Sequence, residues 1–280
     1  MKQYSLSIIL SIIILIIMSC EKDYQSDSSG YKKPNSNGKS GKFNNDEFNT
    51  INSNGGQLSF IIHVPGQYSD SEPCPLVVAF HGGGSDATYF MESTGLNNKA
   101  DAEGFIVIYP DVSTSVINND TLLLIDMINR LNFSYSIDQN RIYLTGHSDG
   151  GRMAYHYGYM LSRKVAAVAP VAGFINERYI NPPADRYSIL HLHARNDNTV
   201  SYEGARIDST LGSFSRLFGY SDAPQISTSE NLTTKEWTTG NIEIKLILSE
   251  RGEHQWLRQS NSGIEANDVI WDFFESHPKQ

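Results

Sequence analysis

The sequence is poor in cysteine and has no cluster of basic residues, and both absences exclude classes of site. Cys20 and Cys74 are the two cysteines in 280 residues, and neither a Cys-x-x-Cys pair nor a Cys/His ligand set is present. No structural zinc or other metal site is therefore expected. The net charge of −9 argues against nucleic acid as a partner. The length fits one large domain or two small ones.

Long apolar runs are also absent, apart from one at the N-terminus over residues 8–18. That run is too short to span roughly 30 Å of hydrocarbon and fits the apolar region of a signal peptide. It ends in Ile17-Met18-Ser19-Cys20, which resembles a bacterial lipobox. We expect residues 1–20 to be a lipoprotein signal peptide and Cys20 to be lipidated, which makes the lipid the only membrane attachment. A plain signal peptide or a short membrane anchor is the alternative.

The residues after Cys20 have the composition of a linker. Glu21-Lys22-Asp23 resembles the charged signal that sends some Gram-negative lipoproteins to the cell surface, so we expect a secreted lipoprotein at the outer membrane or cell surface. Residues 21–50 are rich in Ser, Asn, Gly, Lys and Asp. Such a segment buries too little apolar surface to offset its ordering entropy. It predicts a flexible tether over 21–50 and a folded domain over 51–280.

Apolar runs alternate with helical patterns along residues 51–280. An alternating run at 57–65 predicts an antiparallel edge strand. Continuous apolar runs predict buried strands at 75–80, 105–111, 142–145, 165–171, 188–193 and 242–248, and helical patterns lie near 89–103, 122–131 and 267–274. This alternation predicts an α/β fold with a mostly parallel, twisted sheet that has helices on both faces. In such sheets, function gathers at the carboxyl ends of the strands.

One short stretch, Gly146-His147-Ser148-Asp149-Gly150-Gly151, lies between a predicted strand and a predicted helix. A Gly-x-Ser-x-Gly pattern in a strand–turn–helix is the nucleophile elbow. Its glycines permit a sharp bend and a close backbone approach, which holds the serine hydroxyl at the top of the sheet. A serine hydroxyl is a weak nucleophile at neutral pH. Ser148 therefore requires a base, an acid and an oxyanion hole from elsewhere in the chain.

The base is expected among the histidines that follow Ser148. His254 lies just past the last predicted strand, which is where a base belongs in such a sheet. The others lie in a helix, on one face of a strand or in the C-terminal tail, and are His156, His191, His193 and His277. We therefore select His254.

The acid is expected at the end of an earlier strand. Asp197 lies four residues past the run at 188–193, where it would hold the imidazole and stabilise its charged form. Carboxylates that follow no strand are interpreted as solvated groups, and are Asp185, Asp208 and Asp222. Asp149 is adjacent to Ser148 and is expected to be a favourable charge at a helix N-terminus.

The oxyanion hole needs two backbone N–H groups aimed at the developing negative charge. One is expected from Asp149, the residue after the nucleophile. The other is expected from Gly83 or Gly84, in the loop His81-Gly82-Gly83-Gly84 that follows the first buried strand. This loop lacks both Gly-x-Gly-x-x-Gly and a Lys-Ser/Thr ending, which argues against a phosphate-binding role.

Taken together, these residues resemble one family of α/β-hydrolases, the secreted esterases related to polyhydroxybutyrate depolymerases and to feruloyl or acetyl-xylan esterases. The shared stretches span nearly the whole predicted domain and are Pro75–Gly84, Gly104–Asp111, Arg141–Gly151, Ala166–Gly173, His191–Tyr202 and Gly252–Trp256.

The resemblance implies an α/β-hydrolase fold with little or no lid, and ester hydrolysis through an acyl-enzyme without a cofactor. It implies Ser148 as nucleophile, Asp197 as acid and His254 as base. Expected substrates are feruloyl or acetyl esters on plant polysaccharide, with hydroxyalkanoate esters as the alternative. The candidates for the substrate pocket are His81, His147 and Trp256.

Asp149 departs from the family pattern, because relatives usually carry a neutral residue after the nucleophile. Its carboxylate would disfavour a nearby oxyanion unless it points away. The segment after Asp111 lacks the family's usual Trp, and the stretch after His254 lacks its Pro-Gly ending. Two further readings are a peptidase of the same fold and an inactive carbohydrate-binding lipoprotein.

Overall fold

A computed structural model of the protein describes residues 43–53, 56–112, 117–175, 180, 182–220 and 223–279. The expected signal peptide, Cys20 and most of the expected tether lie outside the described residues. So do Asp222 and residues 113–116, the segment that follows the strand ending at Asp111.

The described residues form a single ten-stranded sheet. Its strands are β1 (Phe48–Ser53), β2 (Gly56–His63), β3 (Cys74–Phe80), β4 (Ile106–Asp111), β5 (Ile137–His147), β6 (Ala167–Val171), β7 (Ser188–Ala194), β8 (Gln225–Ser229), β9 (Leu232–Thr239) and β10 (Ile242–Ser249). They lie in the order β1-β2-β4-β3-β5-β6-β7-β10-β9-β8. The six strands from β4 to β10 in this order are parallel, and the outer strands at both edges pair antiparallel.

Helices cover both faces of the sheet, which confirms the predicted fold class. They are α1 (Ala87–Thr94), α2 (Leu96–Glu103), α3 (Ile117–Ser134), α4 (Asp149–Met160), α5 (Ile207–Leu217), α6 (Gln259–Ser262) and α7 (Ala266–Ser276). Among the described residues, no helix is both long enough and apolar enough to cross a membrane.

Side chains of the buried strands point alternately to two apolar cores, as the period of a strand requires. In β3, Val78 packs in the core beneath α3, α4 and α5, whereas Val77 packs in the core beneath α1, α2 and α7. The second core contains the stacked rings of Tyr143 and Phe274, whose centroids lie 4.6 Å apart. Burial of both faces explains why these strands are continuous apolar runs in the sequence.

The structure corrects several predicted elements. The strand predicted at an edge is β2, which lies second, because β1 pairs outside it. β1 begins at Phe48, so the predicted boundary between tether and domain falls inside a strand. The single helix predicted near 89–103 is two helices, because Gly95 adopts a left-handed φ of 61° and ends α1.

Candidate active site

Ser148 lies at the sharp turn between β5 and α4, with φ 56° and ψ −117°. A positive φ is strained for a residue with a side chain and persists only when its surroundings enforce it. Two backbone hydrogen bonds hold this turn: the Ser148 N–H donates to the Val171 carbonyl at 2.9 Å, and the Ser148 carbonyl accepts from the Arg152 N–H at 3.0 Å. The serine is thereby lifted out of the line of the strand.

The glycines around Ser148 are required by space. A Cβ on Gly146 would lie 2.5 Å from the backbone of Gly150, and a Cβ on Gly150 would lie 2.0 Å from the carbonyl oxygen of Phe80. A Cβ on Gly151 would meet Gly173 at 3.0 Å. Strand β3, the turn and α4 therefore approach more closely than side chains permit.

The structure brings Ser148, His254 and Asp197 together. His254 Nε2 lies 2.9 Å from Ser148 Oγ, and His254 Nδ1 lies 2.7 Å from Asp197 Oδ2. A carboxylate only accepts hydrogen bonds, so Nδ1 carries the proton and Nε2 is left to accept from the serine hydroxyl. Each of the three follows the carboxyl end of a parallel strand: β5, β7 or β10. Their catalytic roles stay predictions.

Asp197 is held rigidly. Its side chain is completely buried. Oδ1 accepts from the backbone N–H groups of Thr199 and Val200, both at 2.8 Å. Hydrogen bonds from backbone N–H groups stabilise a buried carboxylate in its charged form. The remaining oxygen, Oδ2, is therefore available to orient His254.

The glycine loop after β3 passes directly over the nucleophile. A Cβ on Gly82 would lie 3.5 Å from Ser148 Cβ, and a Cβ on Gly83 would lie 2.5 Å from Asp149 Oδ2. Gly84 has a φ of +73° and a Cβ there would meet nothing within 4 Å, so its Cα faces open space. Asp149 begins α4, and the first N–H groups of a helix have no partner within it. These positions are compatible with an oxyanion hole formed by Gly83 and Asp149.

The Asp149 carboxylate lies against Gly83 and is paired with Arg152. Oδ1 is 3.2 Å from both Nε and Nη2 of Arg152. The guanidinium offsets the negative charge that the sequence places beside the glycine loop. The acidic residue that follows Ser148, where the resembled family usually carries a neutral one, is thus paired with a cation one turn further along the same helix.

A groove of about 560 Å³ opens beside Ser148 and His254. Its lining combines aromatic rings with polar groups and comprises Gly82, Gly83, Ser85, Tyr89, Phe90, Ser93, His147, Ser148, His254, Gln255, Trp256, Arg258 and Asn261. Trp256 and Phe90 pack edge to face, with centroids 5.5 Å apart. The Trp256 Nε1–H donates to Asn267 Oδ1 at 2.9 Å, which fixes the indole ring.

Two of the three residues proposed for the pocket line this groove, and the third does not. His147 and Trp256 belong to the lining. His81 is buried beneath it, and its Nδ1–H donates to the Gly82 carbonyl at 2.9 Å. His81 is therefore a partner of the glycine loop in this structure, and its role in the substrate pocket stays a prediction.

His147 is a neutral neighbour of the candidate base. Its ring centroid lies 4.8 Å from that of His254. Burial, with a smaller contribution from His254, lowers the pKa of His147 to about 4. At neutral pH the ring is uncharged and does not oppose the protonation of His254.

Several groove residues were missed from the sequence. Arg258 donates through Nη2 to the Ser93 carbonyl at 2.8 Å and through Nη1 to Glu265 Oε1 at 2.6 Å. It ties the end of α1 to the segment after His254 across 165 residues of sequence. Tyr89 was assigned only to a helix. No local pattern marks either residue as part of a groove.

The residues rejected as catalytic have other contacts. His277 pairs with Glu243 at 3.3 Å, and Lys235 pairs with Asp208 at 2.6 Å. Within the residues that the structure describes, no group of three or more His, Cys, Asp or Glu side chains is arranged to hold a metal ion.

The ten-stranded sheet, the elbow at Ser148 and the strand-end positions of Asp197 and His254 together define the α/β-hydrolase fold. Acetyl xylan esterase from Aspergillus awamori superposes with a TM-score of 0.65 at 17% identity, over 82% of this chain and 99% of that one. At this identity the likeness concerns the fold alone.

The sequence relatives carry the names that the resemblance predicted. The chain is 28% identical over 222 residues to the bifunctional acetylxylan esterase/xylanase XynS20E of Neocallimastix patriciarum, which covers 76% of this chain and 32% of that protein. It is 30% identical over 121 residues to feruloyl esterase B of Talaromyces funiculosus, which covers 38% of this chain and 34% of that protein.

A third relative belongs to the other predicted group. Poly(3-hydroxyalkanoate) depolymerase C of Paucimonas lemoignei is 27% identical over 143 residues, which covers 45% of this chain and 34% of that protein. The aligned region thus spans about a third of each of these three relatives. No family model matches the chain.

Proposed function

We propose that the protein hydrolyses carboxylic esters through an acyl-enzyme formed on Ser148. The observation that carries the proposal is the hydrogen-bonded series Asp197–His254–Ser148, with distances of 2.7 and 2.9 Å. A buried carboxylate that orients an imidazole, which in turn contacts a serine hydroxyl, is the arrangement that activates a serine.

In the first half of the reaction, Ser148 Oγ attacks the ester carbonyl carbon while His254 Nε2 takes the hydroxyl proton. The carbonyl oxygen becomes negative and is stabilised by the N–H groups of Gly83 and Asp149. The intermediate collapses, the bond to the alcohol oxygen breaks, and His254 returns its proton to that oxygen. Asp197 stabilises the imidazolium throughout.

In the second half, a water molecule replaces the alcohol. His254 takes a proton from the water, whose oxygen attacks the acyl carbon of the ester on Ser148. The bond from the acyl carbon to Ser148 Oγ breaks, and the proton passes back to the serine. The products are an alcohol and a carboxylic acid.

The proposed substrates are feruloyl or acetyl esters on plant polysaccharide. The names of two relatives, acetylxylan esterase/xylanase and feruloyl esterase B, support this class. The groove supports it as well, because it is open and carries aromatic side chains beside Ser148, including Tyr89 and Trp256. Aromatic faces pack against flat acyl groups and sugar rings. Hydroxyalkanoate esters are the second candidate, on the strength of the depolymerase relative.

The test is hydrolysis of p-nitrophenyl acetate by the full chain in detergent, with labelling by a fluorophosphonate probe. Ser148→Ala should abolish both, with a loss of kcat of roughly 10⁴-fold or more. Ser213→Ala is the matched control, because the Ser213 hydroxyl donates to the Ser209 carbonyl within α5. A folded Ser148→Ala variant that retains activity would exclude Ser148 as nucleophile. Methyl ferulate, acetylated xylan and hydroxybutyrate oligomers then rank the substrates by kcat/KM.

We also propose that residues 1–20 are a lipoprotein signal and that Cys20 carries the lipid. In bacteria grown with labelled palmitate, the full chain should be labelled, and Cys20→Ala should not. Cys74→Ala is the control: Cys74 is buried, and burial raises the pKa of its thiol, which makes it unreactive. Label retained in Cys20→Ala would contradict the anchor.

A further inference from the structure

A continuous chain of buried polar side chains runs behind the acid Asp197. The Tyr155 hydroxyl lies 2.8 Å from His191 Nδ1, and His191 Nε2 lies 3.0 Å from His193 Nδ1. His193 Nε2 lies 2.8 Å from the Val200 carbonyl oxygen. Tyr155, His191 and His193 are all fully buried, and none of them is used in the proposed reaction.

The direction of every proton in this chain is determined. The Val200 carbonyl can only accept, so His193 Nε2 carries a proton. Burial lowers the pKa of His193 and lowers that of His191 well below its ordinary value, so both rings are neutral. His193 Nδ1 therefore accepts from His191 Nε2–H. His191 Nδ1 in turn accepts from the Tyr155 hydroxyl.

The chain ends on the loop that holds Asp197. Val200 accepts from His193 through its carbonyl and donates to Asp197 Oδ1 through its N–H. His193 Nε2 is also 3.6 Å from Asp197 Oδ2, the oxygen that contacts His254. His193 thus acts on the Asp197 carboxylate in two ways, through Val200 and by its own approach to Oδ2.

Apolar packing alone does not account for this arrangement. A buried imidazole costs free energy unless its ring nitrogens are hydrogen-bonded. All four ring nitrogens of His191 and His193 have partners at 2.8–3.0 Å. The Val200 carbonyl sets the direction of the series, and the Tyr155 hydroxyl completes it by donating to His191 Nδ1.

We infer that Tyr155, His191 and His193 are positioning residues that orient the Asp197 carboxylate toward His254 through Val200. The inference rests on the proposed function, because it assigns these residues to the same site. Their loss should lower kcat and leave KM unchanged, since none of them lines the groove.

The first test compares paired variants with p-nitrophenyl acetate. His193→Leu removes both hydrogen bonds and should lower kcat about a hundredfold, as expected for a displaced catalytic group, with KM within about twofold. His193→Gln keeps an acceptor and an N–H donor and should recover most of that loss. Tyr155→Phe should lower kcat about fivefold. Its control is Tyr187→Phe, because the buried Tyr187 hydroxyl has no hydrogen-bond partner among the described residues.

The second test does not depend on turnover. Nitrogen-15 NMR of histidine-labelled protein at pH 7 should show His191 and His193 protonated on Nε2 only. The His254 Nδ1–H resonance, shifted downfield by Asp197, should be present in the wild type and in His193→Gln and lost in His193→Leu. Protonation on Nδ1 of either buried ring, or an unchanged His254 signal in His193→Leu, overturns the inference. So does a kcat in Tyr155→Phe equal to that in Tyr187→Phe. A wild-type protein that hydrolyses no ester refutes the proposed function, and the NMR signals then decide the positioning role alone.

Discussion

Replacement of Gly150 by alanine tests whether the close approach of α4 to β3 determines the position of the glycine loop over Ser148. A Cβ on Gly150 would lie 2.0 Å from the Phe80 carbonyl oxygen and 2.6 Å from that of His81, whereas real Cβ contacts under 3.0 Å are essentially never seen. Both obstacles are backbone, so neither can rotate away. The two segments would have to separate by about 1 Å, because close-packed interiors have no free space to absorb a methyl group.

The displaced backbone leads directly to Gly82 and Gly83, which pass over Ser148. A shift of about 1 Å in a catalytic constellation costs roughly a hundredfold in rate, and we expect kcat/KM to fall by that factor. Overpacking costs about 1–3 kcal/mol. A domain of this size loses about 2–4 °C in Tm per kcal/mol, so Tm should fall by about 2–12 °C.

The assay is p-nitrophenyl acetate hydrolysis together with thermal unfolding by circular dichroism. Gly212→Ala is the matched control, because Gly212 also lies in a helix, and a Cβ there would meet Arg216 Nη1 at an ordinary 3.5 Å. That variant should keep its activity and gain about 0.5–1 kcal/mol from the higher helix propensity of alanine. If Gly150→Ala kept wild-type kcat/KM and Tm, the steric reasoning would be refuted.

Two further predictions concern charges near Ser148. Arg152→Met should lower kcat about fivefold, because the Asp149 carboxylate would then face the glycine loop without its cation. The double variant Arg152→Met/Asp149→Asn should recover the rate. An Arg152→Met variant as active as the wild type would contradict this prediction. His147 has a pKa of about 4 in the folded protein against an ordinary 6.5. Between pH 4 and 6.5 the unfolded chain therefore binds more protons at this residue than the folded protein does. The unfolding free energy should fall by up to about 3 kcal/mol between pH 6.5 and 4. Urea unfolding of His147→Gln should show a smaller fall in unfolding free energy over this pH range. If the unfolding free energy fell equally in the variant and the wild type, the lowered pKa of His147 would be refuted.

The sequence predicted the parts of the site that depend on strand ends. Strands buried on both faces are continuous apolar runs, so their ends could be located. Parallel strands bring those ends to one edge of the sheet. With the Gly-x-Ser-x-Gly pattern and the order of nucleophile, acid and base along the chain, these two facts lead to Ser148, Asp197 and His254. The structure brings the three together.

The elements that were missed are those whose stability comes from pairing. β8 is exposed along its length and has no apolar alternation, and it is a strand because β9 pairs with it. β1 is mostly polar in sequence, and it is a strand because it pairs with β2. Intrinsic strand preference is weak compared with such context.

Contacts between distant segments also could not be predicted. Arg258 reaches Ser93 across the groove, and Tyr155 on α4 reaches His191 on β7. Each contact depends on the packed positions of two elements. His191 and His193 were correctly placed on one strand face, but nothing in the sequence identified Tyr155 and Val200 as their hydrogen-bond partners.

The left-handed backbone at Ser148 lowers local stability at the residue whose side chain the proposed reaction requires. A side chain at φ 56° costs of order 1 kcal/mol or more relative to glycine. Selection for thermal stability alone would therefore favour glycine at position 148 and remove the hydroxyl. An engineering search that scores only melting temperature would be drawn toward the same change. Stabilising substitutions in this protein should be sought elsewhere in the chain, with residue 148 held fixed.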